Sequence, residues 1–214
     1  MTTFLYIDVF NLYYSAVKGT PLSWLDPVSL VTRAFPRNEI ACTKYFSARV
    51  SPLPGDPGQP MRQPFYWRAL RTLPDFEIIL GEFRTRRVRA AVVSPPPNTV
   101  EVYKTEEKGS DVNLAAHLLL DGFLGRYEAA IVVTGDSDLI SPIKMVRSSL
   151  GKLVGELNPQ RTSGPGCRPP RHSAGLQHAA SFYQDSVTWA QLAAAQFPAS
   201  LTDAVGTFHK PLAW

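Results

Sequence analysis

Cysteine is scarce in this chain: two residues, Cys42 and Cys167, among 214. They lie far apart and lack metal-ligand spacing, so both are expected to be reduced thiols. Long apolar runs are missing too. No stretch approaches the roughly 20 residues that cross a bilayer, which argues against a membrane-spanning helix. Met1–Phe10 has neither the charged start nor the cleavage site of a signal peptide, and the expected location is the cytoplasm. The chain carries no Gly-x-Ser-x-Gly elbow, no Gly-x-Gly-x-x-Gly and no phosphate-loop motif. That sets aside serine hydrolases of the elbow type and the glycine-rich nucleotide binders. No internal repeat is visible.

What is present is ordinary in bulk and uneven in detail. A hydrophobic fraction of 44% and a length of 214 suit one well-buried core with little room for a second. The net charge is +4. Arg84, Arg86, Arg87 and Arg89 fall within six positions, and Lys104 and Lys108 follow on the next segment. Such a cluster suits a polyanion, because each cation near a phosphate releases condensed counterions. A solvated, charged hairpin is the plainer reading of the same run.

Phe4–Phe10, Glu39–Val50 and Phe76–Phe83 read as strands, and Ala129–Thr134 as a fully buried strand of the parallel type. Val88–Val93 and Thr99–Tyr103 flank a proline-rich turn and suggest an arm. Pro27–Phe35, Met61–Leu73 and Ser141–Leu150 read as helices. A helix also follows Gly109, with Ser110 as its expected cap and Asp111 at its positive end. Leu153–Leu157 is a last short strand. Strands alternating with helices predict an α/β fold, a three-layer α/β/α sandwich around a mainly parallel sheet. Ser51–Pro60, with four prolines and two glycines, is expected to be a loop, as is Asn158–Gly175. Thr188–Phe197 is expected to form a helix that docks back. The division follows: a catalytic-type domain over residues 1–158, then a flexible loop and C-terminal helical extension over 159–214.

In open α/β sheets, functional groups collect beyond the carboxyl ends of the strands. Asp8 lies near the end of the first strand, Asp136 and Asp138 directly follow the buried strand, and Asp111 opens the helix leading into it. Taken singly, each has a bland explanation as a cap, a dipole partner or a turn residue. Four aspartates meeting at one edge would repel unless a cation neutralises them, and hard oxygen donors select Mg²⁺ or Mn²⁺. An aspartate phosphatase of the haloacid-dehalogenase type needs a second acid two positions after Asp8, where Phe10 stands. A Toprim domain pairs its Asp-x-Asp turn with a glutamate, where Asp8 stands.

The run Tyr6-Ile7-Asp8-Val9-Phe10-Asn11-Leu12-Tyr13 resembles the Ile-Asp-Gly-Phe-Asn-Leu-Tyr start of NYN domains, relatives of the PIN-domain nucleases. Lys108-Gly109-Ser110-Asp111-Val112 resembles that family's Lys-Gly-x-Asp-Val helix start. Thr134-Gly135-Asp136-Ser137-Asp138-Leu139 resembles its Ser-Gly-Asp-Ser-Asp-Phe turn, and Gly151-Lys152 fits its Leu-Gly-Lys. The matches occur in order over about residues 4–158. Val9 departs from the pattern, since the family usually has glycine there; a β-branched residue resists φ > 0 and adds bulk beside the acids.

The resemblance implies a metal-dependent ribonuclease, an endonuclease cutting single-stranded RNA with Mg²⁺ or Mn²⁺. By position it carries metal and catalytic roles to Asp8, Asp111, Asp136 and Asp138, with Asn11 orienting a water or phosphate oxygen. Thr134 and Ser137 would hydrogen-bond the carboxylates. Arg84, Arg86, Arg87, Lys104 and Lys108 would guide RNA to the edge. Tyr13, Tyr14 and Trp24 could stack on a base or pack in the core. The alternative is an RNA-binding or regulatory module with a PIN-like fold and little cleavage. A homo-oligomer is left open.

Overall fold

The apolar run Ala129–Val133 (β5) is buried at every position and pairs in parallel with Thr2–Asp8 (β1) on one side and Leu153–Leu157 (β6) on the other. A strand wet on neither face has no need of polar alternation, so sequence and position agree. Beyond β1 come Glu39–Ala48 (β2) and Phe76–Ala91 (β3), both parallel to their neighbours. Thr99–Lys108 (β4) runs antiparallel on β3 as the expected arm, and Phe182–Gln184 (β7) closes the far edge. The order among the described residues is β4-β3-β2-β1-β5-β6-β7. The computed structural model describes residues 1–50, 58–94, 96–167 and 173–212. Parts of the loops expected at 51–60 and 158–175, and Pro95 in the arm turn, lie outside the described residues.

Alternation along the central strands sends side chains to two cores. Leu5, Ile7, Ile131 and Val133 pack under Pro27–Ala34 (α2) and Gln59–Leu70 (α3). Tyr6, Val132 and Val154 pack under Ser110–Phe123 (α4) and Ile140–Leu150 (α5). Helices on both faces make the expected three-layer sandwich. The C-terminal segment adds to the first core: Leu192 of a short helix, Trp189–Ala194, is fully buried, and Phe197 donates its amide to the Trp24 carbonyl. Trp24 itself is 0% exposed, its indole bonded to the Pro198 carbonyl, so it is a core residue and no stacking platform. Both cysteines are free thiols, as expected. Among the described residues no helix is long and apolar enough to cross a membrane.

Two expectations need correction. Phe76–Phe83 and Val88–Val93 are one 16-residue strand, because the intervening arginines alternate across an arm wet on both faces. Ser110 does not cap α4: Gly109, at φ 98°, takes the cap position. The Glu107 carboxylate accepts from both the Ser110 amide and hydroxyl, at 3.0 and 2.7 Å. Gly81 makes this possible, since a Cβ there would lie 2.6 Å from both the Glu107 carboxylate and the Lys108 carbonyl.

Candidate functional site: an acidic edge at the sheet's switch point

The strand order reverses between β1 and β5, and there the carboxyl ends of two adjacent parallel strands leave a crevice. Asp8 ends β1 and caps the short helix Val9–Leu12 (α1) by accepting from the Asn11 amide at 3.1 Å. Its other oxygen accepts from the Asn11 side chain at 2.6 Å and from Thr134 Oγ1 at 3.0 Å. Asp8 is 2% exposed, and burial pushes its carboxyl up against the hydrogen bonds that favour the charged form. Thr134 thus hydrogen-bonds a carboxylate as the sequence expected, whereas Asn11, expected to orient a water or phosphate oxygen, donates to Asp8 with both its amide and its side chain.

After β5 the chain turns through Gly135, and Thr134 Oγ1 accepts from the Asp136 amide at 3.1 Å. Asp136 caps a one-turn 3₁₀ helix, Ser137–Leu139, by accepting from the Asp138 amide at 2.9 Å. Asp111 faces them from the first turn of α4. Its pKa is pushed up to about 6, first by burial and then by the charges of Asp8, Asp136, Glu107 and Asp138. Four aspartates from three separate segments thus share one field. Ser137 is exposed and, among the described residues, makes no hydrogen bond to a carboxylate, because the 3₁₀ turn points it to solvent.

The donor set fits a hard divalent cation: all oxygens, with mutual repulsion that raises Asp111 and that such an ion would relieve. The fit is in charge and donor type; among the described residues no three acidic, His or Cys side chains are yet drawn close enough to enclose an ion.

Two residues of this edge carried no sequence signal of their own. Glu107 adds a fifth acid beside Asp111. Asn158, 2% exposed, follows β6 directly, and its Oδ1 would lie 3.6 Å from a Cβ on Gly135. The basic residues lie on the arm. On the arm, Arg84, Arg86, Lys104 and Lys108 alternate onto one face with Glu82 and Glu106. Glu106 is bridged by Arg86, Lys104 and Lys108, and Glu82 pairs with Arg84. Arg87 lies on the other face, its ring partner Tyr103.

That other face overhangs a cavity of about 650 Å³ bounded by α1, α3 and β2. Val9 and Phe10, the two residues after Asp8, form part of its wall. Val9 opens α1, and Asp75 is the non-glycine residue with positive φ among those described, so Val9 has no backbone strain. Its bulk goes to the cavity and leaves the carboxylates clear.

A parallel α/β/α sandwich with acids gathered at its switch point is the architecture of a PIN-like protein. Comparison with known proteins narrows the class. The NYN domain pattern matches residues 2–168. The chain is 30% identical to 6-hydroxy-3-succinoylpyridine 3-monooxygenase HspA of Pseudomonas putida, over 100% of this chain and 75% of that protein. A crystal structure of a protein of unknown function from Vibrio parahaemolyticus shares the fold, with a TM-score of 0.54 and 17% identity over 88% of this chain and 92% of that one. The chain belongs to the NYN domain family.

Proposed function

We propose that the protein hydrolyses phosphodiester bonds of RNA at its acidic edge, as an endonuclease acting on single-stranded segments with Mg²⁺ or Mn²⁺. The observation that supports this reading is the shared field of Asp8, Asp111, Asp136 and Asp138 at the switch point, where burial first and the neighbouring charges after it push Asp111 up to about 6. Acids gathered for an anionic substrate are intelligible with a cation between them. Asp8, Asp111, Asp136 and Asp138 would hold the ion, which when bound supplies Lewis acidity and a more acidic water. Asn11 and Thr134 fix the Asp8 carboxylate by donating to it. The Asp136 carboxylate is steadied by accepting from the Asp138 amide. Arg84, Arg86, Arg87, Lys104 and Lys108 would contact the phosphate backbone along the arm.

The test is Asp136→Asn, a nearly isosteric change. Loss of Mn²⁺-dependent cleavage of single-stranded RNA, with unchanged circular dichroism, supports the reading. Undiminished turnover would remove Asp136 from the mechanism. RNA that binds without metal and is never shortened with it would instead favour the binding-module alternative.

A second reading is turnover of a small aromatic molecule. HspA is named for an activity on a substituted pyridine, and it is similar to the whole of this chain. The observation that favours it here is the large aromatic cavity, which RNA cleavage at the acids does not require.

A further inference from the structure

We infer that the cavity beside α1 seats one unpaired base of the RNA strand whose phosphate lies at the acidic edge. The inference deepens the RNA-cleaving reading and rests on RNA being the ligand of that edge.

The arm sets cavity and acids in one line. Alternation along β4 puts Tyr103, Thr105 and Glu107 on one face, opposite Arg87, Thr85 and Phe83 of β3. Tyr103, Thr105, Thr85 and Phe83 line the cavity, and Glu107 belongs to the field of Asp111. From the other side, Phe10 follows Asp8 by two positions and meets Phe83 edge to face at 5.4 Å. Cavity and acids are thus neighbours along two separate segments, β4 and the turn after β1. Tyr103 to Glu107 is four residues of strand, about 14 Å, the reach of an extended dinucleotide.

Shape, rings and charge along this line then select a strand. A volume of about 650 Å³ lies within the range for small-molecule sites, roughly 300–1,000 Å³, and admits a base with its ribose. Two of the lining rings stand open to solvent, Tyr103 at 70% and Tyr14 at 56% exposure. Open aromatic faces beside a cavity suit a base, which stacks whatever its sequence. The charge pattern separates one cation from the rest of the arm. Arg84, Arg86, Arg89, Lys104 and Lys108 each pair with a glutamate. Arg87 has no carboxylate partner among the described residues. Its Nε donates to the Tyr103 hydroxyl at 3.2 Å, and its guanidinium lies 5.5 Å from that ring's centre. A neutral hydroxyl leaves the guanidinium charge unanswered, so Arg87 suits a phosphate while it holds Tyr103 in place. The face therefore presents a cation, an aromatic cavity and a metal-suited acid cluster in that order. A strand offers phosphate, base and phosphate in the same order, whereas a free aromatic molecule has no use for the two ends.

The test is fluorescence anisotropy of the full chain with Ca²⁺ in place of Mn²⁺ and two labelled probes, octauridylate and an abasic strand of the same length and charge. The abasic strand should bind about tenfold more weakly. Tyr103→Ala should weaken octauridylate by about tenfold and leave the abasic strand unmoved, and Tyr14→Ala should act in the same sense. Arg87→Gln should weaken both strands alike, by a few-fold. Equal binding of the two strands, or a Tyr103→Ala effect shared by both, overturns the base site. Free uridine binding as tightly as octauridylate would make the cavity a small-molecule site and overturns the assignment to a strand. Cleavage is read apart, with Mn²⁺. A strand bound in the expected pattern and never cut would sink hydrolysis and leave the base site standing; a strand cut while the abasic probe binds equally well would do the reverse.

Discussion

Glu156 is a buried acid outside the acidic edge, and it makes a quantitative prediction. It is 0% exposed, next to last in β6, on the face that carries Val154 toward α5. Among the described residues neither of its carboxyl oxygens has a hydrogen-bond partner. Burial alone pushes its pKa from 4.5 to about 9. An acid whose folded pKa is raised gives its full stability below the unfolded value and loses it as pH rises through the folded one. The window is therefore about pH 4.5 to about 9. At ~1.4 kcal/mol per unit the whole loss approaches ~6 kcal/mol, and relaxation and water entry bring a realistic figure to about 3 to 6. Such a loss is a large part of the ~5–15 kcal/mol that holds a domain together. Glu156→Gln keeps the shape and abolishes the titration. Urea unfolding of both proteins from pH 5 to pH 9 should show the variant gaining on the wild type by about 1 kcal/mol per unit. The slope is the measurement, since a buried amide also lacks partners and shifts the absolute value. A constant difference between the two proteins across that range would refute the reasoning.

Further outcomes follow from other parts of the structure. Mn²⁺ should raise the melting temperature of the wild type, EDTA should reverse it, and Asp136→Asn should flatten the response, because a ligand stabilises the state that binds it. Lys44→Met should destabilise by about 3–5 kcal/mol in urea unfolding, because it strands Asp121, which is 0% exposed and 2.6 Å from the Lys44 ammonium. Arg126 and Tyr6 also donate to Asp121, so a cost well under ~1 kcal/mol would show that they suffice. Charge reversal at Arg86 and Arg87 should weaken RNA binding and flatten its dependence on salt, by about one unit of slope per lost phosphate contact; an unchanged slope would free the arm of that role.

The fold was legible where the pattern is local. The run Ala129–Val133 is apolar at every position, and Asp136 and Asp138 follow it within one turn, so strand and acids are read from ten consecutive residues. Asp8 and Asp111 were legible because each stands at an element boundary. Other features had no local rule to find them. β7 spans three residues and owes its place to pairing with β6. The hairpin Ser200–Asp203 with Gly206–His209 is held by Arg68, whose guanidinium grips Asp203 from α3 across 135 positions. Glu107 and Asn158 are ordinary polar residues until folding sets them beside the acids. The cavity draws on segments near residues 9–25, 45–50, 59–67, 83–85 and 103–105, and no spacing along the chain predicts such a wall.

The turn after β1 joins the two sites. Asp8 shares the alternation of Tyr6, toward α4, and so meets Thr134 and the field of Asp111. Val9 and Phe10 come next and line the cavity on the opposite side. Asn11 then returns to Asp8 with both its amide and its side chain. α1 is four residues long, so Phe10 on the cavity wall and Asn11 on the carboxylate are neighbours in a single turn. A glycine at position 9 would leave the carboxylate side as it is and take a wall from the cavity. Valine there is thus a residue that belongs to the cavity, although the acidic motif around it belongs to the edge.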